Sequence, residues 1–343
     1  MDHKIRIVNW LLTRRCNLKC DYCAIVKNYK GKPEEYPDMS HYLKNEMTAD
    51  RVIRGLEMIK KNNPDCFHIF YGGEPMLVKG LPDIINYCNG NKIHYTIITN
   101  NTDEVQPLIE NLLQQVKTKI MGLTSSVDPI FHDRDESDRV RKSVSGLKRL
   151  VKYKAWIDDI VAEITIMNEN VPYIYDLVKT LSMEGINSDI TFIDIAKNPY
   201  YDFANVWEPW RLVPISPELA NQFQRLHDDK SLDIHMKDFL LPAIWNILPS
   251  EMDCRLEKGV HNLSVDADGS IRLCLRVRGV SLPENYNLEN IFKEDGSLNP
   301  RAYITMCFDK QRFCKLCNHT CQLMSMYGDQ VDELVHLDKR GGK

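Results

Sequence analysis

No stretch of this chain approaches the ~20 consecutive apolar residues that a membrane-spanning helix needs. The segment Met1 to Arg6 is short and charged, without the apolar core of a secretion signal. A soluble, cytoplasmic protein is the expectation. Charge bias is lacking too: 44 Lys and Arg stand against 48 Asp and Glu, a formal net charge of −4, so a nucleic-acid or membrane-surface partner is unsupported. Cysteine is almost missing from the middle of the chain, where only Cys66 and Cys88 occur, one leading into a strand and one on an apolar helix face. Both are expected to be small core residues. The other nine gather at the two ends, three within residues 16–23 and six within 254–321. Such grouping fits metal binding in a reducing compartment better than a disulfide framework.

The first group is Cys16-Asn-Leu-Lys-Cys20-Asp-Tyr-Cys23, at the end of an apolar run that reads as a strand. Three thiolates can hold three irons of a cubane 4Fe–4S cluster, which leaves the fourth iron open to a non-protein ligand. Structural zinc wants four ligands, and no neighbouring residue supplies an obvious fourth. A disulfide would strand the third cysteine. The spacing, with aromatic Tyr22 before the last cysteine, resembles the signature of the radical S-adenosylmethionine (radical SAM) superfamily.

The chain then alternates. Apolar strand patterns at Ile5–Thr13, Phe67–Tyr71, Ile93–Thr99, Ile120–Leu123, Ile160–Met167 and Ile190–Ile195 are separated by helical patterns. These start with a Thr48-capped stripe of Val52, Ile53, Leu56 and Ile59, and continue near Leu81–Cys88, Glu104–Val116, Val144–Tyr153 and Tyr173–Met183. Six βα-type units argue for parallel strands, with a site where the loops converge at their carboxyl ends. The fold class is α/β. The resemblance implies a partial (β/α)6 barrel of TIM type, with a small C-terminal β-hairpin and helix domain for an auxiliary cluster. The expected domains are residues 1–200 for the barrel, 201–253 for a helical linker with aromatic residues and helices near Glu218–Leu226 and Ile234–Ile247, 254–330 for the auxiliary domain and 331–343 for a charged tail.

Gly72-Gly73-Glu74-Pro75 follows the second strand. Glycine lets backbone approach a ligand closely and a glutamate accepts from an ammonium. The resemblance implies that Gly72, Gly73 and Glu74 bind the amino group of the SAM methionine. Thr99-Asn100-Asn101 stands where the family has a TNG-like turn, with Asn101 in place of the glycine, and offers Asn100 as a cofactor contact. Ser126-Val127-Asp128, then His132-Asp133 and Arg134 or Arg139, is similar to a stretch of the subgroup with auxiliary clusters. There Ser126 would meet the ribose and Arg139 or Arg134 the carboxylate, a pairing suited to a guanidinium fork. Tyr22 completes the cofactor-binding candidates.

Near the C-terminus, Cys254 and Cys274 bracket an Asp-Gly turn between alternating apolar residues, a hairpin pattern. The spacing is similar to the opening of the SPASM and twitch domains of radical SAM enzymes. Cys307, Cys314, Cys317 and Cys321 follow, one cysteine short of a full SPASM set and in a different order. The economical reading is one auxiliary 4Fe–4S cluster on Cys254, Cys274, Cys314 and Cys317, with Cys321 and then Cys307 competing for a place. Two incomplete clusters, or zinc on Cys314, Cys317 and Cys321, are the alternatives.

What the resemblance implies is reductive cleavage of SAM to methionine and a 5′-deoxyadenosyl radical that abstracts hydrogen from substrate. An electron donor such as flavodoxin or ferredoxin would be a partner. The first expectation for the substrate is a peptide or protein side chain that is crosslinked, epimerised or oxidised, with a separate precursor-recognition protein as a possible partner. The second is oxidation of a small alcohol or sugar. A redox sensor or electron-transfer protein is the third. No catalytic acid or base is assigned.

Overall fold

The computed structural model describes residues 4–18, 43–127, 136–166, 170–192, 216–234 and 260–272. Six strands, β1 (Lys4–Leu11), β2 (Phe67–Tyr71), β3 (His94–Thr99), β4 (Ile120–Val127), β5 (Ile157–Ile166) and β6 (Asn187–Phe192), lie side by side in chain order and all pair in parallel. Helices α1 (Ala49–Asn62), α2 (Leu81–Gly90), α3 (Gln106–Gln115), α4 (Glu136–Val151) and α5 (Ile174–Met183) connect them, and α6 (Pro217–Asp228) follows. From β1 to β6 the order never reverses, so these crossovers cover one face of the sheet, as in a barrel rather than a doubly wound sheet. The expected partial barrel is the architecture seen.

Burial shows the two faces. On β2 and β3, buried and half-buried residues alternate, and the buried ones, with Val8 and Trp10 of β1, pack on Val52, Leu56 and Ile59 of α1 and Ile84, Ile85 and Cys88 of α2. Asn9, Ile69, Tyr71, Thr96 and Ile98 take the opposite, half-buried face. That face forms the inside of the barrel. Within the core, Trp10 donates its indole N–H to His68 Nδ1 at 2.9 Å, and burial pushes the His68 pKa down to about 3. This histidine is a neutral packing residue. Cys66 and Cys88 are buried free thiols, as expected, and burial raises the pKa of each far above the ordinary thiol range.

Element boundaries follow local physics. Thr48 caps α1 through its side-chain oxygen, which accepts from Arg51 N. The polar ends were harder to read: β5 begins at Ile157, β4 runs on to Val127, and α4 begins at Glu136, eight residues before its apolar stripe. Of the helix expected over Ile234–Ile247, Ile234 instead bridges Ser188 in parallel, and the rest lies outside the described residues.

The hairpin near the C-terminus is present as β7 (Val260–Val265) and β8 (Ile271–Arg272), turning through Gly269 at φ +84°. Its placement is new. β7 pairs in parallel with β1, Trp10 opposite Val265, and becomes the seventh parallel strand of the sheet. A buried ion pair fastens the turn: Arg14 Nε donates to Asp266 Oδ1 at 3.0 Å and Nη2 to Oδ2 at 2.5 Å. Met47 N donates to the Ala267 carbonyl at 2.7 Å and Arg51 Nη1 to the Asp268 carbonyl at 2.8 Å. The hairpin is thereby bolted to the backbone that leads into Cys16.

Candidate active site

The carboxyl ends of β1, β2 and β3 bring together Cys16, Gly72, Gly73, Glu74 and Asn100. Cys20, Tyr22, Cys23 and the six C-terminal cysteines lie outside the described residues.

The glycine pair does structural work first. Leu12 N donates to the Tyr71 carbonyl, Gly73 N to the Thr13 carbonyl and Glu74 N to the Arg15 carbonyl, each at 2.7 Å. The β1–β2 ladder is thus prolonged past both strands into the cysteine loop. A Cβ on Gly72 would overlap the Thr13 carbonyl, and one on Gly73 the Arg15 carbonyl. The close approach that demands glycine here is by the chain's own backbone. Thr13 Oγ1 accepts from Arg15 N at 3.1 Å and fixes the bend, while Arg15 reaches Glu46 at 2.7 Å.

Glu74 is fully buried and its carboxylate reaches across to β3. Oε1 accepts from Met76 N at 3.1 Å and Thr99 Oγ1 at 2.9 Å, and Oε2 accepts from Asn100 N at 2.8 Å. Burial pushes its pKa up to about 7, although the three donors pull the other way. A carboxyl raised in this way contributes stability that is present below the ordinary carboxylate range and is lost as pH rises through about 7. A carboxylate offers roughly four lone-pair sites, so one direction is left for a further donor.

Asn101 adopts φ +49° with its side chain buried. This left-handed conformation is the one glycine favours and asparagine tolerates, which explains why asparagine can stand at the glycine position of the turn. Gln106 Nε2 donates to Asn101 Oδ1. Gly146 of α4 packs where a Cβ would come within 2.8 Å of the Asn101 side chain.

The thiol of Cys16 is half-buried and faces donors. Leu18 N points to its sulfur at 3.4 Å and Asn100 Nδ2 at 3.8 Å. N–H groups aimed at a sulfur favour the thiolate, the form that ligates metal. Cys16, with two N–H groups turned to its sulfur, therefore fits as one thiolate ligand of a cluster.

Ser126 lies on the open face of β4, beyond Thr124, whose hydroxyl is 2.9 Å from that of Thr96. Its Cα partner on β5 is Glu163, whose own partner on β6 is Asp189. Arg139 falls on α4, while Arg134 lies outside the described residues. Asn17 and Glu163 escaped the sequence reading, and Thr99 entered it only as part of the turn before Asn100. Glu163 is a polar residue three before the end of β5, off the beat of its buried positions, and that was its signal, whereas Asn17, in the loop beyond β1, carried none.

A family model described as Radical SAM superfamily matches residues 10–181, just over half of the 343-residue chain. An uncharacterized protein of Methanocaldococcus jannaschii is 27% identical over 290 residues, 82% of this chain and 89% of that protein. The radical SAM cyclopropyl synthase TigE of Paramaledivibacter caminithermalis is 25% identical over 232 residues, 64% of this chain and 44% of its own length. Among solved structures, anSMEcpe with bound AdoMet and a peptide superposes with a TM-score of 0.56 at 15% identity, covering 98% of this chain and 99% of that one. No helix among the described residues is long and apolar enough to cross a membrane.

Proposed function

This chain belongs to the radical SAM superfamily, and from that premise we propose that it cleaves S-adenosylmethionine reductively and abstracts hydrogen from a peptide or protein side chain. Cys16, Cys20 and Cys23 would hold a 4Fe–4S cluster, which would bind the methionine end of SAM and, once reduced by an external donor, would supply the electron for C–S cleavage. The remaining work falls to the chain itself. The Gly72–Gly73 backbone sets the cysteine loop, and Glu74 presents its remaining acceptor direction to the methionine ammonium. Ser126 would meet the ribose, and Arg139 and Tyr22 would complete the cofactor contacts. The walls of the barrel exclude water and stray hydrogen donors. We further assign an auxiliary cluster of SPASM or twitch type to Cys254, Cys274, Cys314 and Cys317, with Cys321 as competitor, in the chain on either side of the β7–β8 hairpin.

The observation that carries the peptide reading is the likeness to anSMEcpe over nearly the full length of both chains, in a structure that holds AdoMet and a peptide together. The test is anaerobic incubation of the reconstituted protein with SAM, reductant and short peptides encoded beside its gene. The expected result is a peptide that has lost hydrogen, with 5′-deoxyadenosine formed in step. Turnover of a small alcohol or sugar in place of any peptide would overturn the reading.

Glu74 gives this proposal a pH signature. Its carboxyl is half protonated near pH 7, and an ammonium partner favours the ionised form. SAM affinity of the cluster-loaded protein should rise as pH climbs through about 7, with a proton released on binding. Calorimetry in buffers of different ionisation enthalpy measures that proton. In Glu74→Gln the release should vanish and the pH dependence flatten.

A further inference from the structure

We propose that Asn100 raises the reduction potential of the cluster at Cys16 by donating a side-chain N–H to that cysteine's sulfur. The proposal rests on the reading of Cys16 as a cluster ligand. It concerns a positioning residue for the electron-transfer step.

The orientation of the Asn100 amide follows from its neighbours. Glu104 Oε2 can only accept, and it takes a hydrogen from Asn17 Nδ2 at 3.0 Å; the same nitrogen donates to Thr102 Oγ1 at 2.9 Å. That turns Asn17 Oδ1 toward Asn100, whose Nδ2 donates to it at 2.8 Å. On its other side Asn100 Oδ1 accepts from Thr102 N at 3.2 Å. A flipped amide would set oxygen against oxygen at Asn17 and NH2 against N–H at Thr102, so the network fixes which atom is nitrogen. One N–H of that nitrogen goes to Asn17, and the sulfur of Cys16 lies 3.8 Å from the same atom. The backbone of Asn100 is held in turn by the Glu74 carboxylate at 2.8 Å. The residue that pins Asn100 is thus the one assigned to the SAM ammonium, and the amide runs from there to the cluster ligand.

Hydrogen bonds to the sulfur ligands are among the features that set cluster potentials. Reduction adds negative charge, which an N–H at sulfur stabilises, so the donor raises the potential and its loss lowers it. Leu18 N at 3.4 Å supplies a second donor that no side-chain substitution removes, so the effect of Asn100 is partial.

The experiment is a redox titration followed by electron paramagnetic resonance on cluster-loaded wild-type, Asn100→Ala and Asn100→Asp proteins. With iron content unchanged, Asn100→Ala should make reduction about tenfold less favourable, a shift of ~59 mV downward for one electron. Asn100→Asp, which adds negative charge beside the ligand, should lower it further. Wild-type protein labelled with nitrogen-15 in its asparagine side chains should show nitrogen coupling to the reduced cluster, a reading that needs no variant. A wild-type potential in a loaded Asn100→Ala protein, or the absence of that coupling, overturns the proposal while leaving the cluster at Cys16 intact. Failure of wild-type protein to bind a cluster through Cys16 overturns the proposed function itself, and this inference with it.

Discussion

Gly73→Ala should yield a folded protein that has lost its cluster and its activity. The added Cβ would overlap the Arg15 carbonyl and come 2.9 Å from that of Arg14. Both are backbone atoms, and the Arg15 carbonyl already accepts from Glu74 N, so no side-chain rotation relieves the clash. Overpacking of this kind costs about 1–3 kcal/mol, which a seven-stranded parallel sheet can absorb. The strain is relieved by moving residues 13–15, and Cys16 follows immediately. Misplacement of a catalytic group by 1 Å costs on the order of 100-fold in rate. The far-ultraviolet circular dichroism should match wild type, iron per chain should fall, and 5′-deoxyadenosine formation should drop at least ~100-fold. Full activity in this variant would show that the cysteine loop is not set by its contact with Gly73.

Asp266→Ala should destabilise the fold by about 3–5 kcal/mol, the usual penalty for leaving one partner of a buried ion pair. Arg14 and Asp266 are 4% and 0% exposed. The substitution removes both oxygens on which the Arg14 guanidinium rests and also the acceptor of Ala267 N at 2.7 Å. Denaturant unfolding measures the loss. Replacing both members, as Arg14→Met with Asp266→Leu, should recover most of it, because a pair of apolar side chains leaves no charge uncompensated. If Asp266→Ala unfolds at the wild-type midpoint, the hairpin is not fastened to the β1 loop in the way described.

These two sites show what the sequence made legible. Phe67–Tyr71 and Leu81–Cys88 were readable because apolar spacing and flanking polar or proline residues are local signals, and the structure places β2 and α2 there. Alternation made the parallel pairing of the first six strands legible, and the family resemblance their unreversed order. The Cys16 and Gly72–Glu74 stretches were legible as chemistry, since residue type and spacing carry it. What the glycines touch was not. A reading from residue type expects a ligand against a glycine pair, while the structure sets the Thr13–Arg15 backbone there.

Non-local pairing was the other blind spot. β7 joins β1 across some 250 residues, and parallel partners so far apart leave no mark in a local window. Nothing in the local sequence links Arg14 to Asp266, and only their juxtaposition makes them a clamp. The amide chain from Glu104 through Asn17 to Asn100 was hidden for the same reason, since its members are separated by up to 87 residues.

The claim on which the rest depends is that Cys16, Cys20 and Cys23 form a radical-generating site. Its most direct measurement is 5′-deoxyadenosine release by anaerobically reconstituted protein given SAM and a strong reductant, beside a variant with all three cysteines changed to alanine. The account predicts steady release from wild type and none from the variant. Equal release from both proteins, or none from a wild-type protein carrying its full iron, would contradict it.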